Sequence, residues 1–260
     1  MSNSPLISCL CISNHRPGHL ISAISKFRGQ TYTNKELVIV SNEYSKEYQK
    51  IVRSCADSNI KYFPTSGTCT TLGDLRNSSI EHASGDYICI WDDDDWFHNQ
   101  RLELQLHAAL SNHKDGSILT YCLLYNAVNK AAYLSHPFNH PATILVKRSV
   151  LNNSVRYPSL NKAEDSVFVN KLYHINALYP LVNPVLYMYV YHSQNTWSIE
   201  HFDKLFSSSF RLPELPNSSV TNIYEDMYSY EEASALLVSE QFSKELNYFK
   251  IWAWVEQSTG

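Results

Sequence analysis

No window of this sequence stays apolar over the roughly 20 residues needed to span a bilayer, and no run of Lys and Arg stands out. The opening MSNSPLISCLCISNHRPG lacks the basic start and long apolar core of a secretory leader. The apolar stretch 178–190 is interrupted by Pro180, Asn183 and Pro184. These absences predict a cytoplasmic protein, with peripheral contact at a membrane as the second option. The formal net charge of -4 provides no overall basic field for nucleic acid or anionic lipid. Glycine is scarce, at 7 of 260 residues, and the first loop carries Gly18 alone beside Arg16. No glycine-rich loop for cradling a triphosphate is therefore present.

The six cysteines, Cys9, Cys11, Cys55, Cys69, Cys89 and Cys122, lack the repeated spacing of a zinc module or a disulfide framework. Cys9 and Cys11 stand two apart, so on a strand they share a face. No second pair follows to complete a metal site. Buried reduced thiols in a reducing compartment are the expected state.

What is present is a globular balance, 44% hydrophobic and 18% charged, in a chain long enough for one sizeable α/β domain with an appendage. Apolar, β-rich runs occur at residues 6–12, 36–40, 60–63 and 87–91. Segments with helical spacing lie between them at 17–28, 45–55 and 71–83. Pro17 suits a first helical turn, and Gly85 closes the third helix. Such β-α alternation predicts a mostly parallel sheet flanked by helices, with ligands bound beyond the carboxyl ends of the strands. The segments after Ile12, Val40 and Trp91 are then expected to share one crevice. Further on, 101–110 reads as an amphipathic helix, and 117–124, 143–146 and 185–191 as strands. Residues 163–174 read as a short helix with Val167, Phe168 and Leu172 inward. Residues 207–209 and 213–219 look loop-like, and 230–254 looks like one long helical stretch. The division expected is a main domain over 1–200 and a C-terminal helical extension over 201–260.

The most informative stretch is Asp92-Asp93-Asp94-Asp95, which follows an apolar strand and lies between Trp91 and Trp96. Adjacent carboxylates repel and raise one another's pKa unless something neutralises them. Mg²⁺ or Mn²⁺ does so with hard oxygen ligands, held by one or two carboxylates plus substrate phosphates. On an extended chain Asp92 and Asp94 face the same way and can serve one ion. The competing reading is a solvated acidic turn.

In order and spacing, several pieces together resemble a family-2 glycosyltransferase of the GT-A fold over about residues 5–200. Residues 5–17, PLISCLCISNHRP, resemble the family's opening strand and turn, and residues 30–40, QTYTNKELVIV, its second strand. Leu75-Arg76-Asn77 and then Ala83-Ser84-Gly85-Asp86-Tyr87-Ile88 lead into the aspartates as the family's motif leads into its D-x-D. The resemblance implies a soluble, metal-dependent, inverting transferase, with Mn²⁺ or Mg²⁺, a nucleotide-sugar donor (a UDP-sugar foremost) and a glycan or glycolipid acceptor. It implies that Asp92 and Asp94 hold the metal and nucleotide, with Asp93 sharing the nucleotide contact. It places Ser13 beside the base pocket and Arg76 near the nucleotide. Where the family has paired aspartates after the second strand, this chain has Ser41-Asn42-Glu43. Asn42 carries a donor and an acceptor and can still meet a uracil edge.

Glu164 and Asp165 open a predicted helix, a position that the macrodipole favours for acids on structural grounds alone. The resemblance implies that Asp165 is the general base, with Glu164 as its neighbour. His192 falls in the family's tail after the last strand, within reach of a diphosphate or metal, or serves as a structural histidine. His136 and His140 are separated by Pro137 and followed by Pro141, which exclude a regular helix between them and fit acceptor-loop residues. Trp91, Trp96 and Trp197 are candidates for stacking on sugars, with core packing the default. Two other readings stand beside the transferase: a sugar nucleotidyltransferase, and a sugar- or nucleotide-binding module without catalysis.

Overall fold

The uniform apolar character of ISCLCI comes from a strand covered on both faces. The computed structural model describes residues 4–152 and 154–246, and in it β1 (Ile7–Ile12) has every residue buried. It lies between parallel neighbours β2 (Lys35–Ser41) and β4 (Tyr87–Ile90), and β3 (Ile60–Pro64) extends the sheet beyond β2. Side chains alternate between the two faces. Ile7, Cys9, Cys11, Leu37 and Ile39 join one core cluster, whereas Leu10, Ile12, Val38 and Val40 join another. Helices α1 (Pro17–Arg28), α2 (Lys46–Ser54) and α4 (Arg101–Ser111) cover the first face. Helices α3 (Leu72–His82) and α5 (Glu164–His174) cover the second. All six cysteines are free, and Cys9, Cys11, Cys89 and Cys122 are buried.

The main sheet has seven strands, in the order β10-β6-β9-β4-β1-β2-β3, with β6 (Gly116–Leu119), β9 (Leu145–Lys147) and β10 (Leu178–Leu181) beyond β4. β9 runs antiparallel to both β4 and β6, so the sheet is mixed. A second, five-stranded sheet was not expected. It has the order β12-β8-β7-β11-β5, built from β5 (Trp96–Phe97), β7 (Leu123–Asn126), β8 (Ala131–Leu134), β11 (Tyr187–Tyr191) and β12 (Phe210–Arg211). The acidic run is thus clamped between β4 of one sheet and β5 of the other.

Several sequence expectations need correction. The single strand expected over 117–124 is two strands in different sheets, because the chain turns at 120–122, where Thr120 N bonds to Leu181 O and Cys122 N to Ser135 Oγ. Of the strand expected at 143–146, Thr143 belongs to a 3-10 turn. The stretch 213–219 is mostly helix: α7 (Glu214–Tyr224) accepts Pro216 because the N–H groups of a first turn need no intrahelical partner. The expected long helix breaks into α8 (Tyr230–Leu237) and α9 (Glu240–Leu246). Ser239 Oγ accepts from Phe242 N at 3.1 Å and starts the second one. The rest of that expected helix lies outside the described residues. Val167 points outward, since Phe168, Val169 and Leu172 form the buried face of α5.

Glu36 on β2 is a buried carboxylate fully used in holding strands together. It accepts from Ser8 Oγ (2.6 Å), Ser84 N (2.7 Å) and Lys61 Nζ (2.6 Å). Burial opposes its charge, but the bonds from Lys61, Ser8 and Ser84 win and pull its pKa down from 4.5 to about 2. A depressed acid stabilises the fold above its unfolded pKa, and that contribution is lost as pH falls through the folded value. Glu36→Gln is therefore expected to cost about 1–3 kcal/mol at neutral pH. In thermal melts the gap between wild type and variant should close as pH falls from 4.5 to 2. A gap that stays constant across that window would refute this role.

Helix α3 docks on the segment before α5 through a close backbone approach. Gly73 N bonds to Leu160 O at 3.0 Å, and a Cβ at Gly73 would lie 1.9 Å from Pro158 O. Gly73→Ala must push these backbones apart and is expected to destabilise the protein by about 1–3 kcal/mol. An unchanged melting temperature would show that the approach is not required.

Candidate active site

The carboxyl ends of the parallel strands meet in one cleft. A cavity of about 370 Å³ is lined by residues 92–95 after β4, Asn14 and Arg16 after β1, Arg76 on α3, and Glu164 and Asp165 on α5. Residues 194–197 after β11 form its rim. A second cavity of about 480 Å³ contains Asn42, Glu43 and Cys69. The two share Asn14, Leu72, Asn161 and Thr196, so the segments after β1, β2 and β4 do open onto one crevice. The volume suits a small-molecule ligand.

The four aspartates form a turn and not an extended run, and each meets a different environment. Asp93 is buried. It accepts from Ser13 Oγ at 2.5 Å and from Arg16 Nη2 at 2.6 Å. Ser13, whose only proton goes to Asp93, accepts from Tyr48 OH at 2.8 Å, and Tyr48 OH in turn accepts from Arg16 N at 2.8 Å. Ser13 thus braces the acidic turn from behind. Asp95 is also buried, accepting from Tyr187 OH and, at 3.0 Å, from Val190 N, which ties the turn to β11. Burial pushes its pKa well up.

Asp92 and Asp94 carry the less committed oxygens. Asp94 Oδ2 accepts from Arg16 Nη1 at 2.7 Å and lies 3.1 Å from His192 Nε2. Asp92 Oδ1 meets Arg76 Nη1 at 3.4 Å. Among the described residues, Asp94 Oδ1 and Asp92 Oδ2 have no hydrogen-bond partner. Burial works against charge at every one of these carboxyls. At Asp94, His192 and Arg16 overcome it and hold the pKa at about 2. At Asp93, burial and the Asp94 charge outweigh Arg16 and Ser13 and raise it to about 7. Burial raises Asp92 as well, against the pull of Arg76.

Among the described residues, no three His, Cys, Asp or Glu side chains are grouped to hold a metal by themselves. The donor set nevertheless fits a hard divalent ion that takes two carboxylate oxygens and completes its shell with ligand phosphates and water. Asp92 and Asp94 offer such oxygens, and Arg16 and Arg76 supply cations beside them.

Glu164 and Asp165 part company. Glu164 is 2% exposed, and its Oε1 accepts from Arg76 Nε at 3.0 Å. Burial, opposed by Arg76, raises its pKa. Asp165 is half-buried on the cavity wall. Its Oδ1 accepts from Ser166 N at 2.6 Å, and among the described residues Oδ2 is free. The preceding Ala163 sits in the left-handed region at φ 61° and turns the chain into α5. Asn42 lies in the second cavity, its N–H on Asn14 Oδ1 at 2.8 Å and its own buried Oδ1 without a partner.

No local pattern in the sequence marks Arg16 as a partner of the acids or Tyr189 as a cavity residue. Arg16 sat in plain view before Pro17, but nothing local indicates that it reaches residues 93 and 94. Of the three tryptophans, Trp197 alone lines the cavity. Trp91 is fully buried with Nε1 on Ala23 O at 3.2 Å, and Trp96 is in the core of the second sheet.

Comparison with known proteins bears on the family and the fold. The family model "Glycosyl transferase family 2" matches residues 11–158. An uncharacterized glycosyltransferase of Haemophilus influenzae is 33% identical over 113 residues, covering 43% of this chain and 45% of the relative. The Escherichia coli enzyme WfgD, a UDP-Glc:alpha-D-GlcNAc-diphosphoundecaprenol beta-1,3-glucosyltransferase, is 32% identical over 104 residues, covering 40% of this chain and 41% of the relative. The chain thus spans about half the length, or less, of these relatives. Among solved structures, S. aureus TarS 1–349 in complex with UDP-GlcNAc superposes with a TM-score of 0.60 at 16% identity, covering 91% of this chain and 72% of that one. The mannosyltransferase PcManGT of Pyrobaculum calidifontis, in complex with GDP-Man and Mn²⁺, gives 0.55 at 14%, covering 97% and 81%. At these identities the likeness shows the fold, which is the GT-A α/β fold. With its family motifs, its fold and its acidic cleft in agreement, this chain belongs to glycosyl transferase family 2.

Proposed function

We propose that the chain transfers a hexose from a nucleoside-diphosphate sugar to an acceptor hydroxyl, with inversion at the anomeric carbon. One observation carries the reading: Asp92, Asp94 and Asp165 line a single cavity, with Arg16 and Arg76 set among the acids. In this reading the diphosphate lies at Asp92 and Asp94, and the base reaches into the second cavity toward Asn42. A uracil N3–H would satisfy the Asn42 Oδ1 that is unpaired among the described residues, which is compatible with a UDP-sugar. Mn²⁺ or Mg²⁺, held by Asp92 and Asp94, would neutralise the charge growing on the leaving diphosphate. Arg16 and Arg76 add fixed positive charge on the same side.

Asp165 accepts the proton of the attacking hydroxyl, since it lines the cavity from α5's first turn and its Oδ2 is free among the described residues. Glu164 is committed to Arg76 and acts by holding that guanidinium against Asp92. A single base opposite the leaving group gives one displacement, unlike the two-carboxylate arrangement of retaining glycosidases. The glucosyl transfer to a lipid-linked sugar named for WfgD supports a glycan or glycolipid acceptor. No described helix is long and apolar enough to cross a membrane.

The test is donor consumption with UDP-, GDP- and dTDP-sugars, with and without Mn²⁺, in the presence of sugar acceptors. Metal-dependent release of nucleoside diphosphate is expected. Synthesis of the sugar nucleotide from a triphosphate would favour the nucleotidyltransferase instead. Tight nucleotide binding without turnover of any donor would favour a binding module.

A further inference from the structure

One wall of the acidic cavity takes no part in the chemistry above. It carries His140, Ala142 and Tyr189. His140 is 5% exposed. Its ring packs against Phe138, Tyr187 and Tyr189, with centroids 4.9–5.0 Å away. Its Nδ1 is sealed from solvent without a hydrogen-bond partner, whereas Nε2, also without one among the described residues, is not sealed and is the nitrogen that a cavity ligand can reach. A buried polar side chain left unpaired beside a cavity is uncommon and calls for a ligand or water to satisfy it. The neighbouring Arg101 donates to Gln105 Oε1 (2.9 Å) and Ala142 O (3.1 Å), and its buried Nη1 has no partner among the described residues. A guanidinium can donate to the unprotonated ring nitrogen but cannot accept from the ring N–H, which therefore still lacks an acceptor.

The chemistry of the ring restricts what can bind. Burial and the Arg101 charge hold the His140 pKa at about 3. The imidazole is therefore neutral and presents one donor and one acceptor. A sugar hydroxyl also donates and accepts. With a diphosphate at Asp92 and Asp94 and the attacking group at Asp165, the transferred hexose must occupy the space between, over this wall.

We infer that His140 reads one ring hydroxyl of the donor hexose and thereby determines which sugar is transferred. The inference rests on the transfer reading above, and it concerns a residue that lies outside the metal-binding and proton-accepting groups. Tyr189, on the same wall, supplies apolar surface beside that ring.

The experiment uses UDP-glucose, UDP-galactose, UDP-GlcNAc and GDP-mannose, and then each monodeoxy analogue of whichever donor wild type uses fastest. His140→Phe keeps a ring of similar shape among the aromatic neighbours and removes both nitrogens. Its kcat/KM is expected to fall by about 10- to 100-fold, with UDP affinity unchanged. One deoxy analogue should lose about the same factor with wild type and nothing further with H140F. His140→Gln, which retains a donor and an acceptor, should recover part of the loss and serves for the same cycle where H140F fails to fold. If H140F matches wild type on every donor, or if the deoxy losses multiply independently at every ring position, the inference is overturned. Wild-type turnover of none of the four donors, nor of a dTDP-sugar, would overturn the transfer reading and this inference with it. Normal wild-type turnover with an indifferent H140F overturns this inference alone.

Discussion

Asp165→Asn is expected to lower the rate of transfer by about 10²- to 10⁴-fold, the range that a positioned general base contributes. The substitution is nearly isosteric and keeps the acceptor oxygen that Ser166 N uses at 2.6 Å. What it removes is the ability to take a proton at Oδ2. Nucleotide affinity should therefore stay within about twofold, and kcat and kcat/KM should fall together. The neighbouring Glu164→Gln provides the contrast. Glu164 is buried on Arg76, and exchanging its charge for an amide leaves that guanidinium with Asp92, at 3.4 Å, as its remaining ion-pair partner among the described residues, which costs stability. A lower melting temperature should therefore accompany E164Q but not D165N. Wild-type transfer rates in D165N, measured by release of the nucleoside diphosphate, would remove Asp165 from the proposed mechanism.

Asp94→Ala is expected to abolish the thermal shift that Mn²⁺ adds in the presence of UDP, and to reduce transfer by at least about 10²-fold. The magnitude follows from how much converges on this side chain. Asp94 accepts from Arg16 and lies beside His192, and its second oxygen is one of the two ligands offered to a cation. Without it Arg16 retains Asp93 as its sole ion-pair partner, and Asp92 faces the diphosphate alone. Asp93→Ala should behave differently. Asp93 is buried behind the turn on Ser13, so the first consequence of its loss is a less stable acidic loop. A manganese-dependent shift of wild-type size in D94A would place the metal elsewhere, or nowhere, in this protein.

How much of this was legible in the chain depends on the range of the physics involved. Strands β1 to β4 and the helices between them followed from periodicity, because a strand covered on both faces must be apolar throughout and a helix laid on it must repeat every three to four residues. The second sheet escaped because its edge strands β5 and β12 have two residues each, too short for any pattern to emerge. Helix α7 escaped because Pro216 and its serines read as a loop when a first helical turn in fact tolerates them.

The sequence by itself determined that a parallel α/β core would end in a row of carboxylates and that a further acid pair would begin a later helix. Both are local facts of composition and spacing. Only the tertiary structure decided which of those acids remain available. Asp93 and Asp95 have both oxygens engaged, by Ser13 and Arg16 and by Tyr187 and Val190, and Glu164 is buried against Arg76, while among the described residues Asp92, Asp94 and Asp165 keep an oxygen free on the cavity wall. The partners lie far away along the chain, so no window of neighbouring residues encodes them. The same folding brings His140 to the cavity wall with an unpaired ring, a placement that its position between two prolines does not signal.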